Sequence, residues 1–380
     1  MIAIVGIGET PPARKTSQDV RSLVLQATLA SIADAGLKAG AIDGLITDSG
    51  IMPTTVPPQW LAAQLGIELR YSASLSYGGA ASVAAPLLAA DAIRSGRARA
   101  VLYYFGVDWG SRPGGPYAFH DIYPAKSIFE KPYGFNAQPI YFGMWARRYM
   151  HEYGLTTDDL ADIAIAQRKN AILNGHAQQQ KSLDRQSYYN SRLIADPLRV
   201  PDCCLVSDGA AAYIMTSVEA ARDCRHIPVS VLGAGFASSS MTGDDVFTQP
   251  NPLLTTPAAG IAAAAALQAA DISLAQINFA QIYDCSTISY LLQIEDVGFC
   301  RKGEGPDFLR ERDTTISGDL PINTHGGLLS YSYRLGVEHV IETVRQLRHS
   351  SGPSQVPHAA IGLVGGFSPP DYGVSILGRG

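Results

Sequence analysis

The chain is constrained most by a repetition. Residues Ile2 to Gly8 read IAIVGIG and residues Val229 to Gly235 read VSVLGAG, two apolar runs that each end in Gly-x-Gly. A run this apolar has no face to offer to water, so each reads as a strand buried on both sides, as in a parallel sheet. The downstream segments repeat as well. After the first run come a helical pattern from Ser17 to Ala35 and a strand from Ile42 to Asp48 with an acidic end. After the second come an Ala-rich helix over 258–270 and a strand from Ile277 to Asp284, again acidic at its end. Tyr77-Gly78-Gly79-Ala80 then opens a helix ending near Gly96, followed by the strand Ala98 to Phe105; His325-Gly326-Gly327-Leu328 opens a segment leading to the helix Val337 to Arg348 and the strand Ala359 to Val364. The pattern is a duplicated α/β unit. Its halves, 1–225 and 226–380, meet where Arg222-Asp223-Cys224-Arg225-His226 interrupts the apolar pattern. A long excursion over about 108–201 is inserted in the first half, beginning with a Gly/Pro/aromatic loop from Trp109 to Pro139 and continuing into helices rich in Gln, Arg and Tyr. Insertions of this length usually carry function.

Composition removes several classes of partner. With 380 residues, 46% hydrophobic and only 17% charged, the chain can bury a large core. A net charge of −5 with scattered cations leaves no basic stripe for a phosphate backbone, so nucleic acid is excluded. The longest apolar stretch, Ala258 to Ala270, falls short of the roughly 20 residues that span a bilayer, so no membrane partner is expected. No cationic leader precedes Ile2, and the expected location is the cytosol. The five cysteines lack disulfide-framework or zinc spacing and are expected to be reduced. Gly6-x-Gly8 and Gly233-x-Gly235 carry Pro11 and Ser238 where a dinucleotide fingerprint has its third glycine, and the histidines lack metal-ligand spacing. Neither a nucleotide cofactor nor a metal is expected.

Two further motifs, Ser207-Asp208-Gly209-Ala210-Ala211-Ala212 ahead of the second half and Asn323-Thr324-His325-Gly326-Gly327-Leu328-Leu329-Ser330 late in the chain, complete an ordered set. The set, which covers essentially the whole chain, resembles the thiolase superfamily and most closely its sterol-carrier-protein thiolase branch. That resemblance implies an α/β fold of two βαβαβαββ halves packed in five layers, a dimer, and coenzyme A thioesters as substrates. The departures from the pattern are informative. The position of the family's nucleophilic Cys falls on Gly79, which has neither thiol nor hydroxyl; Ser82, the nearest hydroxyl, sits almost a helical turn further on. The His or Asn that precedes an acidic residue after the second-half strand is Tyr283, followed by Asp284. The His of the late Gly-His-Pro turn is Tyr333, and the late acid/base Cys falls near Leu363.

Without a nucleophile no acyl group can be taken onto the protein, so thiolysis is not expected. Retro-aldol cleavage of a β-hydroxyacyl thioester needs only a base for the hydroxyl proton and an acid for the enolate. Phenols can serve as both: their unperturbed pKa is about 10, and the neutral OH donates to oxygen. Tyr-Asp after the strand, with a Tyr in the Gly-Gly-Leu-Leu-Ser segment, is similar to the steroid side-chain retro-aldolases. This implies that Tyr283 and Tyr333 form the acid/base pair, with Tyr333 nearer the hydroxyl and Tyr283 nearer the enolate. It also implies a 17-hydroxy steroid 20-carboxyl-CoA as substrate, cleaved to a 17-ketosteroid and propionyl-CoA or a similar acyl-CoA, with coenzyme A present only as part of the substrate. A small zinc-ribbon/OB-fold protein is the implied partner, around a homodimeric core in a heterotetramer.

Other candidates carry two readings each. Asp284 either serves Tyr283 or caps the following helix. His325 donates to the thioester oxygen or is a buried structural group. Gly78 and Gly79 offer amides at a helix N-terminus or simply form a tight turn. Ser330 and Tyr331 are candidates for lining the acyl pocket, and Cys285 for burial as an inert thiol. The aromatic segment from Trp109 to Phe142 suits a lid over a flat sterol skeleton or a subunit contact. Loss of the nucleophile also fits a non-catalytic acyl-CoA or lipid-binding scaffold, but two protic groups at the two aligned positions favour the lyase.

Overall fold

In the computed structural model, which describes residues 1–49, 56–116, 126–135, 137–240 and 254–380, the repeated Gly-x-Gly pairs serve packing. A Cβ on Gly6 would lie 2.3 Å from the Ser31 carbonyl oxygen and one on Gly8 2.2 Å from that of Ala27. In the second half a Cβ on Gly233 would lie 2.2 Å from the Ala266 oxygen and one on Gly235 2.1 Å from that of Ala262. Each pair lets a helix lie directly on its strand, a use of glycine for close approach rather than for turn geometry.

The strands are β1 (Ile2–Glu9), β2 (Gly44–Asp48), β3 (Tyr71–Leu75), β4 (Ala100–Asp108), β5 (Leu193–Ala195), β6 (Leu198–Arg199), β7 (Asp208–Ser217), β8 (Val229–Ser238), β9 (Phe279–Ile282), β10 (Ile361–Ser368) and β11 (Asp371–Arg379). The helices are α1 (Val20–Ala35), α2 (Pro58–Leu65), α3 (Ala81–Arg94), α4 (Gln138–Tyr153), α5 (Thr157–Asn174), α6 (Arg185–Asn190), α7 (Val218–Ala221), α8 (Pro257–Ala270), α9 (Thr287–Val297), α10 (Gly305–Glu311), α11 (Gly327–Ser330) and α12 (Val337–Leu347). Among the described residues nine strands form one mixed sheet in the order β3-β2-β4-β7-β1-β8-β11-β10-β9, and β5 and β6 form a separate ribbon.

The order reads nearly as a mirror about the β1–β8 seam, with β7 matched by β11, β4 by β10 and β2 by β9. The counterpart of β3 is reduced to an isolated parallel bridge between Ala280 and Ile322. Direction departs from expectation: β1 pairs antiparallel with β7 and with β8, not within a parallel set. It is nonetheless covered on both faces, because α1 and α12 both pack against it, and two-sided burial is what the apolar run registers. The parallel pairs are β2 with β3 and β4, and β9 with β10.

Helices α3 and α12 occupy the centre. α3 packs on β2, β4 and β7 of the first half and on β8, β10 and β11 of the second; α12 packs on β1, β7, β9, β10, β11 and α3. The sheet thus wraps around two inner helices, with α1 and α8 on its outer faces. α3 suits this place because Ala81, Ala84, Ala85, Ala89 and Ala92 keep its surface small. α12 is buried almost all round, including Glu338, His339, Glu342 and Gln346. Its polar groups therefore need internal partners: Glu342 accepts from Thr324 at 2.7 Å and Gln346 at 2.8 Å. Among the described residues no helix is long and apolar enough to cross a membrane. Within the excursion, 117–125 and 136 lie outside the described residues, and with them the middle of the aromatic segment read as a lid.

Candidate active site

The N-terminal end of α3 and the loops after β9 and before α12 bring Tyr283 and Tyr333 together. Their hydroxyls are 2.8 Å apart, although the residues are fifty positions apart in sequence. Both side chains are almost wholly enclosed, 4% and 7% exposed. Burial pushes both phenols well above their ordinary value, so the pair is neutral.

Each tyrosine is held by groups distant in sequence. Tyr283 sits at the end of β9; its carbonyl accepts from Gln293 of α9 at 2.6 Å, and the Gln293 oxygen accepts from Tyr372 at 3.1 Å. The Tyr333 amide donates to Ser207 Oγ at 3.0 Å, and Ser207 donates to Gln178 at 2.9 Å. Trp109 stacks on the Tyr333 ring, centroids 4.6 Å apart and planes 20° apart. Trp109 in turn follows β4 on a segment fixed by Asp208, whose carboxylate accepts from the amides of Gly110 at 2.7 Å, Ser111 at 3.2 Å and Thr16 at 2.8 Å. The next residue after Tyr333, Arg334, is fully buried. It pairs with Glu9 and donates to the Thr10 carbonyl at 3.0 Å, tying the loop to the end of β1.

Asp284 does not cap the helix that comes after it, since Ser286 caps α9. Its carboxylate instead accepts from the amides of Leu328 at 2.8 Å and Leu329 at 3.4 Å, capping the one-turn α11, and it lies 3.4 Å from His339 Nε2. A Cβ on Gly327 would meet that carboxylate at 2.0 Å. Gly78 has a left-handed backbone with φ of 51°. Its amide and that of Tyr77 donate to Asp48 at 3.0 and 2.8 Å, so the Gly78 N–H is not offered to a substrate oxygen. Gly79 lies against the Tyr283 ring.

His325 is fully buried between Tyr331, 4.7 Å away by ring centroids, and His339, 5.1 Å away. Burial holds it well below the ordinary imidazole value, hence neutral. Ser330 accepts from Arg168 at 2.9 Å. The Tyr331 hydroxyl donates to Glu9 at 2.7 Å and, with Glu9, His176 and Arg345, lines a separate cavity of about 480 Å³. Ser330 and Tyr331 are therefore engaged with groups other than the tyrosine pair. Cys285 is 3.2 Å from Ser289, and burial pushes its thiol up to about 12; the Ser82 hydroxyl is buried inside α3. Neither is poised as a nucleophile.

A profile of the thiolase C-terminal domain-like family matches residues 238–370. The steroid side-chain-cleaving aldolase of Thermomonospora curvata is 34% identical over 361 residues, covering 92% of this chain and 90% of the relative. The chain belongs to the thiolase-like aldolases. A second relative, the 17-hydroxy-3-oxo-4-pregnene-20-carboxyl-CoA lyase of Mycobacterium tuberculosis, is also 34% identical, covering 92% of each chain. The solved Ltp2-ChsH2(DUF35) aldolase superposes on this aldolase with a TM-score of 0.91 at 32% identity, over 100% of this chain and 97% of the other. A thiolase-like protein of the sterol-carrier-protein class from Mycobacterium smegmatis, at 19% identity and a TM-score of 0.74, shares the fold. The aldolase is accordingly a carbon–carbon lyase built on a thiolase fold.

Sequence reasoning reached the two tyrosines but not their supports. Of these, Ser207 and Asp208 stand inside a motif that sequence inspection can single out. Asp48 shows in sequence only as the acidic end of a strand, and Gln293 and Arg334 carry no local signal, because their partners are distant in sequence.

Proposed function

We propose that this aldolase cleaves the side chain of a steroid β-hydroxyacyl-CoA, a 17-hydroxy steroid 20-carboxyl-CoA giving the 17-ketone and propionyl-CoA or a similar acyl-CoA, with Tyr283 and Tyr333 as its acid/base pair. The observation that carries the reading is the 2.8 Å contact between the two hydroxyls in a site without a nucleophile. The carbinol proton passes to the Tyr333 oxygen as Tyr333 hands its own proton to Tyr283 and Tyr283 hands its own to the departing fragment. The Cα–Cβ bond breaks, its electron pair develops as the thioester enolate and takes up the Tyr283 proton at Cα, and the former carbinol carbon becomes the ketone. Each phenol ends with one proton, as it began. No net proton enters or leaves, and neither phenol has to exist as a free phenolate, which burial disfavours. No cofactor is required, and coenzyme A acts as the carrier that makes the enolate a thioester enolate.

The solved relative, named as a complex with a DUF35 protein, supports a heteromer. In this reading the second component is a small zinc-ribbon/OB-fold protein bound to a homodimeric core, and the assembly works in the cytosol.

The test is to co-express the chain with such a partner, add the 17-hydroxy steroid acyl-CoA, and follow ketone and acyl-CoA by mass spectrometry. Tyr283→Phe and Tyr333→Phe should each lower kcat by at least about a hundredfold, the scale of general acid/base catalysis. Full activity in either variant removes that tyrosine from the mechanism. Tight binding of the thioester with no cleavage by the wild-type complex would replace this reading with that of a binding protein.

A further inference from the structure

We infer that Gly79 is a positioning residue for Tyr283, and that its missing side chain, not its backbone, is what the reaction requires. Gly79 is not among the residues with positive φ, whereas its neighbour Gly78 and also Gly336, at 51° and 82°, are. An L-residue could therefore adopt the backbone at 79. Space is what forbids one. A Cβ there would lie 2.4 Å from Cε2 and 2.5 Å from Cζ of Tyr283, and 2.3 Å from the Phe367 carbonyl oxygen. Gly336 runs along the same edge of the ring, where a Cβ would meet Cδ2 at 2.8 Å and Cε2 at 3.0 Å.

The contact falls on the part of the ring that matters. Cζ carries the hydroxyl, so an atom added at 79 displaces the Tyr283 oxygen and breaks its 2.8 Å contact with Tyr333. The ring cannot retreat freely, because Phe367 and His339 flank it with centroids 6.4 Å away on each. The backbone of β10 comes close to Gly79 as well, since a Cβ on Gly366 would come within 2.6 Å of the Gly79 carbonyl oxygen. A side chain at 79 and a catalytic phenol at 283 are mutually exclusive occupants of one volume. The position pair thus determines which chemistry the fold can house: a group attached to the start of α3, or a phenol reaching over it from β9.

The effect on rate rests on the acid/base reading, the effect on packing does not, and the two can be measured separately. In the full chain with its partner, Gly79→Ala should lower kcat by at least about a hundredfold, matching Tyr283→Phe, with KM changed by less than about threefold. Thermal stability is then compared in a cycle of Gly79→Ala, Tyr283→Ala and the double variant. Gly79→Ala should lower Tm more in the wild-type background than in Tyr283→Ala, where the ring it strikes is gone. An insoluble Gly79→Ala beside a soluble double variant reads as the same coupling. Equal Tm losses in both backgrounds, equal insolubility, or a kcat within about threefold of wild type overturns the assignment. If Tyr283→Phe is itself fully active, the acid/base reading fails while the stability cycle still reports whether Gly79 positions the ring.

Discussion

At the scale of the residue, ionisation states are set by enclosure and partners together. Glu9 shows both: burial alone would raise its carboxyl, but Arg334 and Arg345 outweigh it and hold the group down at about 2 against 4.5. A carboxyl whose folded pKa is depressed adds stability above its unfolded pKa, and loses it as pH falls through the folded one. The shift of roughly 2.5 units corresponds to about 3 kcal/mol. Glu9→Gln should therefore unfold at lower urea than wild type at pH 7, and the gap should close between about pH 4.5 and 2; a gap constant with pH would exclude the ion pair as its source. The buried phenols run the other way. Their folded pKa is raised, so their contribution is complete below about pH 10, where unfolded tyrosines ionise, and declines above it. Cleavage should correspondingly be independent of pH between about 6 and 9 in a stopped assay; a rate rising tenfold per unit across that range would show that a phenolate is the active form.

Among the elements, two short turns carry unequal weight. Ser286 caps α9 through a reciprocal pair with Ser289, and Ser286→Ala should cost about 1 kcal/mol of urea stability. Asp284→Ala strands two buried amides of α11, and with them the turn leading to Tyr333, at about 1–3 kcal/mol per orphaned group. The larger loss should appear for Asp284→Ala; the reverse order would mean that the α11 turn is held by something else. The contrast bears on what sequence can reveal. β1, β8, α8 and α12 announce themselves by unbroken apolar runs or helical spacing. β7 and β11 enter only through the family resemblance, since Ala210 to Ala212 in one and Gly373 and Ser375 in the other break up the apolar and β-branched residues around them. The direction of β1 is equally illegible, because burial on two faces marks parallel and antiparallel strands alike. The tyrosines could be placed by motif, but Tyr333 depends on Ser207, 126 positions earlier, and Gly78 on Asp48, thirty earlier. No local pattern encodes such pairings.

For the whole molecule, the duplicated unit does not mean two independent bodies. One buried cluster runs from Ile4 through Ala81 and Tyr213 to Phe279, Val337 and Val364, and α3 and α12 each pack on strands of both halves. A single cooperative unfolding transition is expected, with calorimetric and van't Hoff enthalpies agreeing. Residues 1–225 expressed alone should fail to give protected amides in hydrogen exchange, because α3 would lose half its cover. Two resolved transitions, or a folded fragment, would show that each half completes its own core.

The seam between the halves has a consequence for the order in which they are encoded. β1 and β8 share only the pairs Ala3 with Ser230 and Ile4 with Val229. The Met1 carbonyl accepts from Val218, and the Gly380 amide donates to Pro228. Met1 and Gly380 therefore both lie beside the connector between the halves. A permuted chain that begins at His226, with residues 380 and 1 joined by a short bridge, should carry the halves in exchanged order and still bring the tyrosine pair, the central helices and the seam together; a permuted chain that fails to fold would show that the order of the halves matters to the packing.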